Sequence, residues 1–213
     1  MPVEEDRHPP PRRRPLGADP VAWDAEYREG RLSRLHGLAE APRYGIIAAW
    51  LRPLVPDGGV ILDAGCGEAA LFGPVLRDRP SLSYIGFDVS AVALETAATI
   101  IGPSEAHRVS LRRAGLADFE PAPADRPYDA IILTEVLSYS ADSITWLDRY
   151  RPWLAVDGVM VATLQVPRRP DSGAHGPFNA LRDALAGPDW TVLDSAELGN
   201  PRTGNAWAMH VFR

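Results

Sequence analysis

Short apolar runs separated by helix-length segments set the frame of this chain. Val60-Ile61-Leu62 is continuous enough to fill a strand buried on both faces, and Asp63 closes it. A second strand, from about Leu82 to Asp88, holds the run Tyr84-Ile85-Gly86-Phe87 and again ends in an acid. His107 to Ala114 alternates through Val109 and Leu111 as a third. Tyr128 opens a fourth through Ala130-Ile131-Ile132-Leu133, and Val156-Asp157-Gly158 turns into a fifth ending at Leu164. Trp190–Leu198 and Asn205–Arg213 read as a closing strand pair joined through Gly199 to Gly204.

The segments between these strands have helical signals. Glu68–Asp78, Ala91–Ile101, Asp142–Leu154 and a short Phe178–Leu185 are the expected helices, with Ser90 capping the second and Gly102-Pro103 ending it. Upstream, Asp19–Leu38 reads as a broken helix, with Asp19 as cap and Pro20 at its first position. Ala41–Leu54 is amphipathic, with Ile46, Ile47, Trp50, Leu51 and Leu54 on one side. Strands alternating with helices predict an α/β domain around a mostly parallel sheet. His107 and His210 fall within predicted strands and read as structural.

The chemistry gathers at the tips of strands one and two. Ala64-Gly65-Cys66-Gly67 turns the chain from strand to helix, and without β-carbons a ligand can approach the backbone there. Asp88, about 20 residues after the turn, stands where an acid accepts hydrogen bonds from both hydroxyls of a ribose. The spacing Gly65-x-Gly67-x-x-Ala70 formally fits a dinucleotide fingerprint as well.

Composition narrows the classes. A chain of 213 residues with 46% hydrophobic and 23% charged residues suits one soluble domain with a proper core. The net charge of −6 argues against a broad phosphate-binding surface. All 22 basic residues are arginine, which excludes Schiff-base chemistry and a P-loop lysine. Cys66 is the only cysteine, so no internal disulfide forms, and a small packed residue is the reading favoured over a nucleophile. Residues 1–18, with Pro9-Pro10-Pro11-Arg12-Arg13-Arg14-Pro15, read as a disordered tail, and 19–213 as one domain. No apolar run approaches the roughly 20 residues of a membrane helix, and the N-terminus lacks a signal-peptide core, so a cytoplasmic protein is expected. No His, Cys, Asp and Glu spacing points to a metal.

The wording Asp63-Ala64-Gly65-Cys66-Gly67-Glu68-Ala69 resembles the first motif, D/E-x-G-x-G-x-G, of the class I S-adenosylmethionine-dependent methyltransferases, with Ala69 in place of the third glycine. Leu116-Ala117-Asp118-Phe119 is similar to that family's element after strand three, and the segment through Glu135-Val136-Leu137-Ser138-Tyr139 to its fourth motif. The last stretch is also similar to the N-methyltransferases of the nodulation-factor type. The resemblance implies a Rossmann-like sheet of seven strands in the order 3-2-1-4-5-7-6, the last strand antiparallel and helices on both faces. It implies S-adenosyl-L-methionine as cofactor, with Asp88 and Val89 at the ribose and Ala117 and Asp118 at the adenine. Asp63, Gly65, Cys66, Gly67 and Glu135 are then expected around the amino-acid end.

Residues 19–55 are expected to form a helical lid, with Trp23, Tyr27, His36, Arg43 and Tyr44 as candidate lid residues. Arg43 has two readings, as partner of the cofactor's carboxylate or as a surface residue. Glu135, His175 and, less favoured, His36 are the candidate bases, and Tyr139 a candidate for holding the acceptor or facing the sulfonium with its ring. The expected partner is a small-molecule methyl acceptor, reacting at N or O, rather than nucleic acid or membrane, with the chain a monomer or homodimer. The rival readings are a nicotinamide-dependent reductase, which lacks its usual lysine here, and a methyltransferase-like binding protein without transferase activity.

Overall fold

The central strands are those with the least interrupted apolar runs, and they lie in the middle of the sheet. The computed structural model describes residues 19–139, 143–169, 172–201 and 203–213. The tail expected at 1–18 lies outside them. Strands β1 (Val60–Ala64), β2 (Ser83–Asp88), β3 (Val109–Arg113), β4 (Tyr128–Thr134), β5 (Leu154–Gln165), β6 (Val192–Gly199) and β7 (Ala206–Phe212) form one sheet. Its order is β3-β2-β1-β4-β5-β7-β6, as the family resemblance implies. β1 to β5 pair in parallel, and β7 inserts antiparallel to both β5 and β6. The tips of β1, β2, β3 and β4 therefore share one edge of the sheet, where a doubly wound sheet takes its ligand.

Two apolar layers flank the sheet. On one face, α2 (Ala41–Leu54), α3 (Phe72–Leu76) and α4 (Ala91–Ile101) bring Ile47, Leu51, Leu76 and Ala97 against Ile61, Ile132, Val161 and Met209. On the other, α5 (Thr145–Tyr150) and α6 (His175–Leu185) bring Leu147, Tyr150 and Leu181 against Leu62, Ile131, Leu133 and Met160. Upstream, α1 (Pro20–Arg28) starts where expected, with Asp19 Oδ1 accepting from the amides of Val21 and Ala22. A 3-10 turn at Ser33–His36 makes the break before α2.

Several element bounds differ from the sequence expectation, for local reasons. The helix after the glycine turn covers only Phe72–Leu76 instead of Glu68–Asp78, because Gly67 and Ala69 take φ of 53° and 55°. No right-handed helix accepts that conformation. The helix expected over Asp142–Leu154 is α5 followed by a 3-10 turn at Arg151–Trp153, where Pro152 brings no amide donor. β5 already opens at Leu154, and α6 at His175 rather than Phe178, with Pro177 tolerated in its first turn. His107 stands exposed in the turn before β3, its Nδ1 3.0 Å from the Ser104 carbonyl oxygen; it is not a strand residue.

Arg108 ties the far edge of this layer together. Its guanidinium donates to the carbonyls of Leu76, Arg79 and Leu82, closing the chain between α3 and β2. Arg108→Met leaves those carbonyls without their charged donor, and is expected to cost about 2–3 kcal/mol in urea unfolding. A loss below about 0.5 kcal/mol, the scale of an ordinary surface substitution, would show that water replaces the guanidinium at no cost.

Candidate active site

The strand-to-helix turn after β1 is built from backbone that other elements fill. The Cys66 amide donates to the Phe87 carbonyl at 2.9 Å, which ties the turn to β2. Gly65 and Gly67 take φ of 70° and 53°. A β-carbon at Gly65 would lie 2.8 Å from Val136 Cγ2, just past the tip of β4. One at Gly67 would lie 2.5 Å from the Tyr27 hydroxyl of α1. One at Gly86 would lie 2.9 Å from Cys66 Sγ. Val136, Tyr27 and Cys66 thus occupy the room that the glycines leave, and the turn, the β4 tip and α1 interlock. Ala69, in the place of the third glycine, is buried and adopts a glycine-like backbone. The residue that departs from the motif thus takes a backbone conformation that glycine ordinarily supplies.

Two buried carboxylates flank the turn. Asp88 Oδ2 accepts from the Gly67 amide and Oδ1 from the Ser90 amide, both at 2.9 Å. Burial raises its pKa, against the pull of those amides. Each oxygen keeps a lone pair for a further donor, as a ribose diol would require. Asp63 is 2% exposed and accepts from the Tyr84 hydroxyl at 2.6 Å. Burial pushes its pKa up to about 7, with the Tyr84 hydrogen bond opposing and Asp88 adding. Burial also raises the Cys66 thiol well above its ordinary value, so it stays protonated and is no ready nucleophile.

The tip of β4 carries a different kind of carboxylate. Glu135 follows the strand with φ of 61°, and its amide donates to the Thr163 carbonyl of β5. Its Oε1 accepts from Thr163 Oγ1 at 3.0 Å and lies 3.4 Å from Arg43 Nη1. Its Oε2 accepts from the Gln165 amide at 3.0 Å. Arg43 is 1% exposed, so the surface reading of this residue is wrong. Its other partner is Glu40, 2.8 Å from Nη2, and its guanidinium lies over the Tyr44 and Trp207 rings. Two carboxylates of the chain thus flank Arg43, Glu40 and Glu135.

The N-terminal segment closes over this edge. Asp24 Oδ1 accepts from the Ser90 hydroxyl at 2.6 Å and the Val92 amide at 3.3 Å, beside the start of α4. Trp23 meets Tyr139 edge to face at 4.8 Å between centroids, and Tyr27 follows one turn on. His36 Nε2 lies 2.8 Å from Glu68 on the glycine turn. Val89 lies at the β2 tip, where its carbonyl accepts from Arg113. Ala117 and Asp118 are exposed in the turn after β3. His175 stands at the start of α6, with Nε2 2.9 Å from the Arg169 carbonyl, a contact that only an N–H makes. Asp63, Gly65, Cys66, Gly67, Asp88, Glu135 and Tyr139 thus share one neighbourhood, while the contacts of His175 lie within its own loop.

Asp24, Tyr84, Ser90, Thr163 and Glu40 are the residues that sequence reasoning did not select. Only Ser90 carried a local signal, as a helix cap, and its hydrogen bond to Asp24 spans 66 positions. Among the described residues no group of three or more His, Cys, Asp or Glu side chains comes together as a metal site. A cleft of about 230 Å³ between α6 and strands β5, β6 and β7 is lined by Leu164, Phe178, Leu181, Ala208 and His210, and by none of the residues above.

Residues 62–160, the span from β1 to β5, match the family described as "Methyltransferase domain". This match and the order of the sheet support a class I S-adenosylmethionine-dependent methyltransferase. A curated relative of this chain is the probable (S)-tetrahydroprotoberberine N-methyltransferase 2 of Papaver bracteatum. It is 26% identical over 65% of this chain, and the matched region spans 36% of that protein's length. Among solved structures, the 1,6-didemethyltoxoflavin-N1-methyltransferase of Burkholderia thailandensis superposes with a TM-score of 0.71 at 18% identity, covering 92% of this chain and 87% of that one. The N-methyltransferase NodS of Bradyrhizobium japonicum gives 0.66 at 18% identity, covering 84% and 90%. These last two show the shared fold.

The raised pKa of Asp63 sets a pH dependence of stability. The folded chain holds this proton more tightly than the unfolded chain, whose carboxyl has its ordinary value near 4. The group's contribution is therefore most favourable below that value, falls as pH rises towards about 7, and stays low above it. Asp63→Asn removes that slope. Denaturant unfolding at pH 5 and pH 8 should show a smaller fall for the variant than for the parent. Equal falls would place the ionisation elsewhere.

Proposed function

We propose that this methyltransferase transfers a methyl group from S-adenosyl-L-methionine to a nitrogen of a small-molecule amine. The observation that carries the choice of nitrogen is the state of Glu135. It is the candidate base at the β4 tip, and it is already committed to Thr163, the Gln165 amide and Arg43. An arginine beside a carboxylate favours its ionised form and weakens its pull on a substrate proton. A hydroxyl acceptor would need such a base, whereas an amine arrives with its lone pair free once it has lost its proton to water. The name of the Papaver bracteatum relative, an N-methyltransferase, supports the same choice.

The donor, when bound, supplies an electrophilic methyl on a positively charged sulfur. The residues of the chain hold and align. Asp88, at the tip of β2, has lone pairs for the ribose diol, and Asp63 lies beneath the turn where the amino-acid end would rest. Ala117 and Asp118 stand at the β3 tip, on the adenine side of that arrangement. Tyr27 covers Gly67, and Trp23 and Tyr139 wall the mouth with aromatic surface, which excludes water and suits an aromatic amine. Orientation and exclusion of water are what an in-line displacement at carbon requires of its enzyme.

The test is a panel of secondary and tertiary amines, phenols and sugar alcohols incubated with methyl-labelled donor. Label should enter amines, with rates rising as pH approaches the acceptor's own pKa. Glu135→Gln keeps most of the hydrogen bonds and is expected to retain activity within about 10-fold while losing stability, since general-base removal costs about 10²–10⁴-fold. Label entering hydroxyls, with a loss above 100-fold in a stable Glu135→Gln variant, would instead make Glu135 the base of an O-methyltransferase.

A further inference from the structure

Among the described residues, Asp63 is the one buried carboxylate with neither a cation nor a backbone amide for a hydrogen-bond partner. Its single hydrogen bond among the described residues comes from the Tyr84 hydroxyl of β2. Every other group facing it is neutral or negative. Cys66, in the turn, is a thiol held protonated by burial. Tyr44, from α2, is a phenol raised to about 12 by burial. Asp88, at the β2 tip, is a second carboxyl. On the β4 side, its neighbour in the sheet is Ile132. Arg43, the nearest element's cation, is taken by Glu40 and Glu135. A carboxylate so enclosed is costly to leave ionised, and the fold supplies no charge to offset it.

We propose that Asp63 carries a proton in the free protein and exchanges it for the cofactor's ammonium group, so that cofactor binding releases a proton to solvent. The inference rests on the methyltransferase reading above and adds a linkage to it. The step balances. The carboxylic acid becomes a carboxylate, its proton goes to the buffer, and the ammonium of the cofactor's amino-acid end becomes the counter-charge. The ammonium need not touch the carboxylate, because an opposite charge within about 4–6 Å of a buried acid is enough to favour its ionised form. Asp88 is the competing source of a proton. Its two backbone amides already stabilise its ionised form, and a ribose diol brings no charge to change that.

The linkage is read by calorimetric titration of the full chain with S-adenosylhomocysteine, which keeps the amino-acid end and lacks the sulfonium. At pH 7, binding enthalpy is plotted against the ionisation enthalpy of phosphate, HEPES and Tris buffers. The slope gives the protons released, and about half a proton per bound ligand is expected for a group titrating near 7. The slope should shrink towards zero at pH 9, and affinity should rise between pH 6 and pH 8. Asp63→Asn should bind more weakly, by about 10-fold, with no slope. Tyr84→Phe removes the one donor to the carboxylate, and should move the pH of maximal release upward. It serves as the second reading if the asparagine variant does not fold. Saturable binding with a buffer-independent enthalpy in the parent, or an unchanged slope in Asp63→Asn, overturns the proposal. Absence of S-adenosylhomocysteine binding by folded protein overturns the methyltransferase reading beneath it.

Discussion

The left-handed turn from Gly65 to Ala69 is the constraint on which the rest of the site depends. Three residues of that turn take positive φ, and each of its glycines has a side chain from elsewhere in its lee. Val136 arrives from the β4 tip and Tyr27 from α1. A β-carbon at either glycine would push one of them away. The glycines therefore serve the protein's own packing as directly as they serve a ligand. Strain in such backbone costs about 1–3 kcal/mol per residue for anything but glycine, and Ala69 is held in it by a buried setting.

Around that turn, the site separates its carboxylates by environment. Asp88 is fixed by amides, Glu135 by an arginine, a threonine and an amide, and Asp63 by one phenol. Three acids of similar chemistry thus stand in three different electrostatic states. Only the last has its charge left to be settled by a ligand. Arg43 makes the separation possible. Carried on α2 and buried, it pairs with Glu135 and ties that helix to the tips of β4 and β5. Removing one partner from a buried pair of this kind typically costs about 3–5 kcal/mol, so the two functions are not readily separated by substitution.

The sheet was legible in the sequence because each strand declared itself locally. Apolar runs ended in Asp63 and Asp88, a glycine turn followed the first, and a closing pair followed Trp190. The antiparallel insertion of β7 came from family resemblance rather than from periodicity. What was not legible depends on partners far along the chain. Arg43 reaches Thr163 across 120 positions, and nothing in Ala41-Pro42-Arg43-Tyr44 announces that the guanidinium is buried. Glu135 looks like a free base in the run Thr134-Glu135-Val136, and only the neighbouring strand shows its hydrogen bonds to Thr163 and Gln165. The helix expected from Glu68 failed because apolar spacing is blind to positive φ. His175 was selected as a loop histidine near the mouth, yet its Nε2 is satisfied by a carbonyl of the same loop.

The acids, the turn and the lid make one coherent claim, that this edge of the sheet holds an adenosyl amino acid. Equilibrium binding of S-adenosylhomocysteine, with NADH and NADPH measured in parallel, tests it most directly. The account predicts saturable binding of S-adenosylhomocysteine, at one site per chain, and none of either nicotinamide. Binding of a nicotinamide nucleotide, or no binding of S-adenosylhomocysteine by a folded chain, would contradict it.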